Sequence, residues 1–331
     1  MRLVNTAIVL ILLLLTSGVP LACGPREVEF PDPELEVAIR EEIGKPEGSI
    51  LPSDLEKIIS IAVEYVPITD LTGLEYCTNL EGLYVTQNQI SDISPLASLT
   101  KLEDLWLTGG QISDVSPLAT LTNLTRLHLY GNEISDISPL ASLINLTDLN
   151  LSWNGISDIS PLASLTKLED LYLTHNQISD ISPLASLTKL VSLTLGDNQI
   201  SDLSPVHSLT SLTMLQLSRN PIGEFTSLAS LNSLTSLVLE GNQISDISPL
   251  VSLGNLKHLY LEENDISDIS PLASLGNLDY IDLSQNQISD ISPLLALAEL
   301  HTLFLEGNPL SISSLNVYIP QLEERGVIVS W

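Results

Sequence analysis

The chain has 331 residues, with 41 acidic against 12 basic side chains and a formal net charge of −29. That excess of anions excludes nucleic acid and anionic lipid as direct partners, because both would repel it. Arg2 is the only charge before Cys23, so removing that stretch would take the net charge from −29 to −30.

Arg2 precedes an apolar run from Ala7 to Leu15, followed by Thr16-Ser17-Gly18-Val19-Pro20-Leu21-Ala22 and Cys23. Nine apolar residues are too few to span a bilayer, and the pattern reads as a secretory signal peptide over 1–22. Leu21-Ala22-Cys23 resembles the cleavage box of bacterial lipoproteins, whose cysteine becomes lipidated, although Pro20 stands where that box carries an aliphatic residue. Membrane attachment through a lipid on Cys23 and plain secretion both remain open. Residues 23–57 then read as a linker and a helical N-terminal cap. Asp32-Pro33-Glu34 supplies an N-cap, a first-turn proline and an acid at the positive helix end, with Leu35, Ala38, Ile39 and Ile43 on one face and Gly44 as the stop. Ser53-Asp54-Leu55-Glu56 reads as a capping box opening a second helix toward Ile58 and Ile59.

From Leu80 onward one pattern returns every 22 residues, as in LEDLYLTHNQISDISPLASL from Leu168 to Leu187. Leu171 and Leu173 point to one side of a short extended segment and Tyr172 to the other. Ser182-Pro183 reads as an N-cap and first-turn proline starting a brief helix or 3₁₀ turn whose Leu184 and Leu187 aim inward. One such unit has too few apolar side chains to offset the ordering of its backbone, so it folds only against its neighbours. A column of asparagines, Asn88, Asn132, Asn154, Asn176, Asn198, Asn220, Asn242, Asn264, Asn286 and Asn308, is suited to satisfy buried backbone groups at each bend. Gly110 interrupts it, which predicts a weaker rung at Leu105–Leu107.

The unit LxxLxLxxNxI, here Leu80, Leu83, Val85, Asn88 and Ile90, resembles the leucine-rich repeat, and the 22-residue period with SDISPL resembles its bacterial internalin-like class. The resemblance covers about three quarters of the chain. It implies an α/β solenoid: a right-handed leucine-rich-repeat superhelix with short parallel strands on the concave face. It further implies a helical lid over the first coil and, for function, protein or glycan binding alone; the residues themselves call for no cofactor and no catalysis. The repeats are assigned to 58–308, one degenerate and eleven regular units, with a C-terminal cap at 309–331. In the degenerate unit Ile61, Val63 and Ile68 keep the strand phase, Val66 replaces the asparagine, and Cys77 takes a leucine position as a buried apolar residue. Around Asn220, Pro221, Gly223-Glu224-Phe225 and Ser227 depart from the pattern, through drift on the convex side or for a bend or lateral contact there. In the cap, Leu315, Tyr318, Ile319 and Leu322 form an amphipathic segment, Val327-Ile328-Val329 a last strand, and Trp331 a cover.

Aspartates at 92, 114, 136, 158, 180, 202, 246, 268 and 290 form a column that repels itself across coils about 4.8 Å apart. They either bond nearby backbone or gather a divalent cation. On the outward strand positions stand Tyr84, Trp106, Tyr130, Trp153, Tyr172, Tyr260, Tyr280 and Phe304, eight of the fourteen aromatics, with Arg126, His128, His175 and His258. Core packing does not explain rings at such positions, whereas contact with a protein or glycan does. They divide into a nearly neutral patch from Tyr84 to His175 and a patch of Tyr260, Tyr280 and Phe304 among Glu240, Glu262, Glu263, Asp282 and Glu306.

His128, Asp104 and Ser152 can be drawn as a hydrolytic trio, and His258 with Glu262 and Glu263 as metal ligands, yet no nucleophile turn or metal-ligand spacing supports either. The expectation is an exported or cell-surface binding scaffold. A structural envelope component and an intracellular solenoid of the phosphatase-regulator type are the alternatives, the second opposed by the leader.

Overall fold

The computed structural model describes residues 27–331. Cys23 and the leader lie outside them. Thirteen parallel strands form one sheet in strict chain order, so each coil pairs only with the coil before and after it. Strand centres recur every 22 residues, as in Leu149 opposite Leu171 and Leu171 opposite Leu193. Between strands the chain returns through five-residue 3₁₀ turns such as Ser160–Ser164 and Ser182–Ser186. The fold is a leucine-rich-repeat solenoid.

Leu168, Leu171, Leu173, Ile178, Ile181, Leu184 and Leu187 of one unit are all buried, and the corresponding positions of the other coils join them in one continuous core. The asparagines hold the bends. Asn176 Nδ2 donates to Leu173 O in its own coil and to Leu151 O in the preceding one, both at 3.0 Å, while its Oδ1 accepts from Ile156 N–H at 3.0 Å. Most asparagines of the column repeat this set, which satisfies buried backbone groups of two coils with one side chain.

At Gly110 the expected weakness does not show in the strand ladder. Asn88 turns its Oδ1 onto Ile90 N–H of its own coil at 2.8 Å and its Nδ2 onto Val85 O and Thr108 O. A Cβ at 110 would stand 2.7 Å from Asn88 Oδ1 and 2.8 Å from Asn132 Oδ1, so the two amides occupy the room that glycine leaves. The flanking strands Gly82–Thr86 and Asp104–Thr108 pair over five residues, more than the three of the later strands. Around Asn220, Pro221 returns Ile222 N–H to Asn220 O, Phe225 fills the core in place of isoleucine, and the strand register continues without a break.

The 3₁₀ turns correct one expectation. Their first residue is the serine, but its side chain does not cap the turn. The aspartate two residues earlier does: Asp180 Oδ1 accepts from Ser182 N–H at 2.8 Å, and each of the other eight column aspartates bonds its serine in the same way at 2.8–2.9 Å. A carboxylate on a free N–H is stabilised as the anion. The bond from Ser182 accordingly holds Asp180 below the usual carboxylate range.

The first helix, Pro33–Glu42, is capped by Asp32 as its sequence predicts. Asp32 Oδ1 accepts from Glu34 N–H and Leu35 N–H, and its Oδ2 accepts from Thr69 N–H and hydroxyl, which ties the cap to the first coil. The second helix is a single turn, Pro52–Leu55. Its backbone is held by Asp54 accepting from Leu51 N–H, a role expected of Ser53 and Glu56. Cys77 is fully buried, and desolvation followed by Glu75 pushes its thiol up to about 12. At the other end Ile319, Leu322 and Val327 close the core, and strand Ile328–Ser330 pairs with Thr302–Phe304. Trp331 is 60% exposed and covers nothing, because the chain has left the core before it.

Candidate functional site

The alternation of each strand sends leucines inward and the intervening residues to the sheet's outer face, and parallel register then stacks every outward position on its counterpart one coil away. Tyr84, Trp106 and His128 are such neighbours. Tyr84 meets Trp106 edge to face at 5.8 Å, and Trp106 lies stacked on His128 at 4.3 Å between ring centroids. Their geometry is set by Asp104, which is 5% exposed. Its carboxylate accepts from Trp106 Nε1 at 2.7 Å and Tyr84 hydroxyl at 2.8 Å, and it pairs with the Arg126 guanidinium. Desolvation and the bond to Asp104 push the Tyr84 phenol upward, and Asp104 raises Arg126 further. These rings are therefore fixed donors on a buried anion.

The drawn trio does not assemble, since both Asp104 oxygens are engaged and His128 Nε2 faces Asp148 Oδ1 instead, at 3.1 Å. Among the described residues no group of three or more His, Cys, Asp or Glu is arranged to hold a metal ion, His258 with Glu262 and Glu263 included.

Beside Trp106, Tyr130 and Tyr65 line an open hollow of about 300 Å³ with Gly109 and Gln87. Tyr65 is 73% exposed. Sequence reasoning missed it together with the anchoring part of Asp104. The signal was present: Tyr65 precedes Val66, which holds the asparagine phase, as Trp153 precedes Asn154. That rim position has positive φ in every regular coil, with glycine at 109, 131, 241 and 307. Trp153 and His175 occupy it at φ 58° and 55°, and their rings meet at 3.7 Å. His175 Nε2 lies 3.3 Å from Asp197.

The first patch is thus two ring groups rather than one continuous run. In the central column Asn150 separates His128 from Tyr172, and Tyr172 faces Thr194 on its other side. Desolvation and the neighbouring Asp170 and Asp148 push the Tyr172 phenol upward. After Thr194, Gln216 and Val238 the rings return. Tyr260 and Tyr280 lie 4.8 Å apart, Tyr280 and Phe304 5.6 Å, all half-buried. Glu262, Asp282 and Glu306 surround them. Burial first, then Asp282, Glu240, Glu263 and Glu306, hold the Glu262 carboxyl above its ordinary range.

Comparison with known proteins agrees with this geometry. Leucine Rich repeats (2 copies) matches residues 78–120, 100–142, 122–164, 144–186 and 232–274, and Leucine rich repeat matches 166–222, 188–244 and 254–310. An internalin, InlF of Listeria monocytogenes, is 39% identical with a TM-score of 0.89, covering 94% of this chain and 92% of its own. The chain therefore belongs to the leucine-rich-repeat family, in its internalin class. A leucine-rich-repeat protein of Leptospira interrogans shares the fold at 24% identity and TM-score 0.79, covering 84% of this chain and 73% of its own. The functional domain of InlJ from Listeria monocytogenes, which includes a cysteine ladder, does so at 22% and 0.63, covering 87% and 73%. Among curated proteins none matches.

Proposed function

We propose that this chain is an exported protein-binding scaffold whose outer strand face, concave in the solenoid, grips its partner through the rings around Trp106. One observation carries the reading. Large rings stand outside the core, oriented by a buried carboxylate and beside an open hollow, at positions where folding requires only a strand-compatible side chain. Trp153 and His175 add to it, because bulky residues at left-handed backbone positions cost about 1 kcal/mol each over glycine.

In this reading Tyr84, Arg126 and His128 hold the platform, Trp106 and Tyr130 present the anchor, and Trp153, Tyr172 and His175 extend the contact. Tyr260, Tyr280 and Phe304 form a second site. No helix among the described residues is long and apolar enough to cross a membrane. Export is assigned to the leader at 1–22, with Cys23 as the residue that a lipid would modify.

The test is capture of surface proteins and a glycan array with the exported protein and its Trp106→Ala/Tyr130→Ala variant. A protein partner lost by the variant at unchanged melting temperature supports the reading; capture indifferent to the substitutions, or glycans alone retained, sinks it. Metabolic labelling with a fatty-acid analogue separates lipidation at Cys23 from plain secretion.

A further inference from the structure

The second ring group sits in a different electrostatic setting from the first. Glu240 is paired with Arg219 at 2.9 Å, but among the described residues no ion pair involves Glu262, Glu263, Asp282 or Glu306. Lys257 precedes the strand His258–Tyr260, whereas Glu262 follows it, so the lysine stands at the other margin of the face. Two of the carboxylates are nevertheless held in place. Glu306 accepts from Ser284 hydroxyl at 3.0 Å, and Asp282 accepts from Ser284 N–H at 2.9 Å.

The rings among them are splayed, with interplanar angles of 37° and 43°. Half-exposed rings in that arrangement leave negative π surface open beside carboxylates. Both attract a cation, and the second neutralises it. A single ion does not fit. The carboxylates lie on successive coils about 4.8 Å apart and form a track rather than converging on a point, in keeping with the lack of a metal-holding cluster among the described residues.

We propose that the C-terminal half of the strand face receives an extended, arginine- or lysine-bearing segment of a protein partner, seated on Tyr260, Tyr280 and Phe304 and paired with Glu262, Asp282 and Glu306. This rests on the strand face being the recognition surface and adds the chemistry of what it recognises. Burial first, and then these negative neighbours, hold the Glu262 carboxyl up, and a bound guanidinium relieves the second of those causes.

The probe is a fluorescein-labelled octa-arginine peptide titrated by anisotropy into the full chain at physiological salt. A protein of this net charge attracts such a peptide diffusely, so two triple variants with the same change in charge are compared. E262Q/D282N/E306Q removes the track, and E42Q/E47Q/E324Q removes exposed acids of the caps. The first is expected to weaken binding at least about tenfold and the second less than about twofold. Tyr280→Ala with Phe304→Ala is expected to weaken it by about threefold or more. Equal losses in the two triples, or no loss in either, overturn the proposal. Capture of the natural partner with Trp106→Ala keeps the two ideas apart. If capture ignores Trp106 while the peptide depends on the track, only the anchor reading falls; the reverse removes only the cationic segment.

Discussion

The two ring groups share one backbone and the same outward columns, yet the carboxylate that orients the first is paired with a cation and the carboxylates beside the second are not. Around Tyr84 and Trp106 the carboxylate that orients the rings is fully engaged: Asp104 has Arg126 and two ring donors, while Asp148 and Asp197 lie within 3.1 and 3.3 Å of His128 and His175. Around Tyr260 and Tyr280 the acids outnumber the cations, and burial together with those acids holds the Glu262 carboxyl above its ordinary range. A surface satisfied within itself offers shape and apolar area to a partner, while an unsatisfied one offers charge. The repeat makes both available, because its fold is held by leucines and asparagines and places no demand on these columns.

That separation of scaffold from surface can be broken first at the scaffold. Asn176→Ala leaves buried backbone groups of two coils without partners and is expected to cost about 3 kcal/mol, read from urea unfolding. A loss below about 1 kcal/mol would show that the column is dispensable. Asp104→Asn comes next. It discharges the anchor of Trp106, Tyr84 and Arg126 and is expected to cost about 1–3 kcal/mol, with a red shift of tryptophan emission. The same change at Asp282, whose carboxylate has no cation to lose, is expected to leave stability within about 0.5 kcal/mol.

Acid sharpens the contrast. Burial opposes the charge on Asp32, but hydrogen bonds from Thr69, Leu35 and Glu34 outweigh it and lower its pKa. A depressed carboxylate contributes stability above its unfolded value near 3.8, and that contribution is lost as pH falls through the folded value. Glu262 has the opposite sign: its raised carboxyl disfavours folding when charged and ceases to do so once protonated. Melting curves from pH 7 to 3 should therefore show Asp32→Asn converging with the parent at the acid end. Glu262→Gln should be slightly more stable than the parent at pH 7 and equal to it below pH 4. The smallest expected effect is that of calcium. Each column aspartate already holds a serine N–H, so millimolar calcium should leave the melting temperature unchanged, and a clear rise would reopen the cation reading.

The period, the buried leucines, the asparagine bends and the Asp32 cap were legible because each follows from backbone needs repeated at a fixed spacing. The outward placement of the rings was legible for the same reason. Partners were not. Alternation tells which way a side chain leaves the strand, but whether Asp104 meets His128 or Trp106 depends on rotamers across coils. The capping atom was misassigned at Ser182 because a 3₁₀ turn starting at the serine puts the aspartate, two residues back, nearest the free N–H. Tyr65 lies in the degenerate unit, where Val66 stands at the asparagine phase and hides the rim position before it. Trp331 was assigned a cover because it ends the chain, although Val327 already seals that edge.

The rim residue before each asparagine, with its positive φ, has a consequence for how such a surface changes. Glycine is the relaxed occupant there, so any side chain at that point is carried against the preference of the main chain. Exchanging Trp153 for glycine would ease the bend while erasing a contact, and exchanging Gly131 for tryptophan would do the reverse. Neither touches a leucine. The margin of the solenoid is thus a row of interchangeable fittings, through which the protein could be turned toward a new partner one coil at a time.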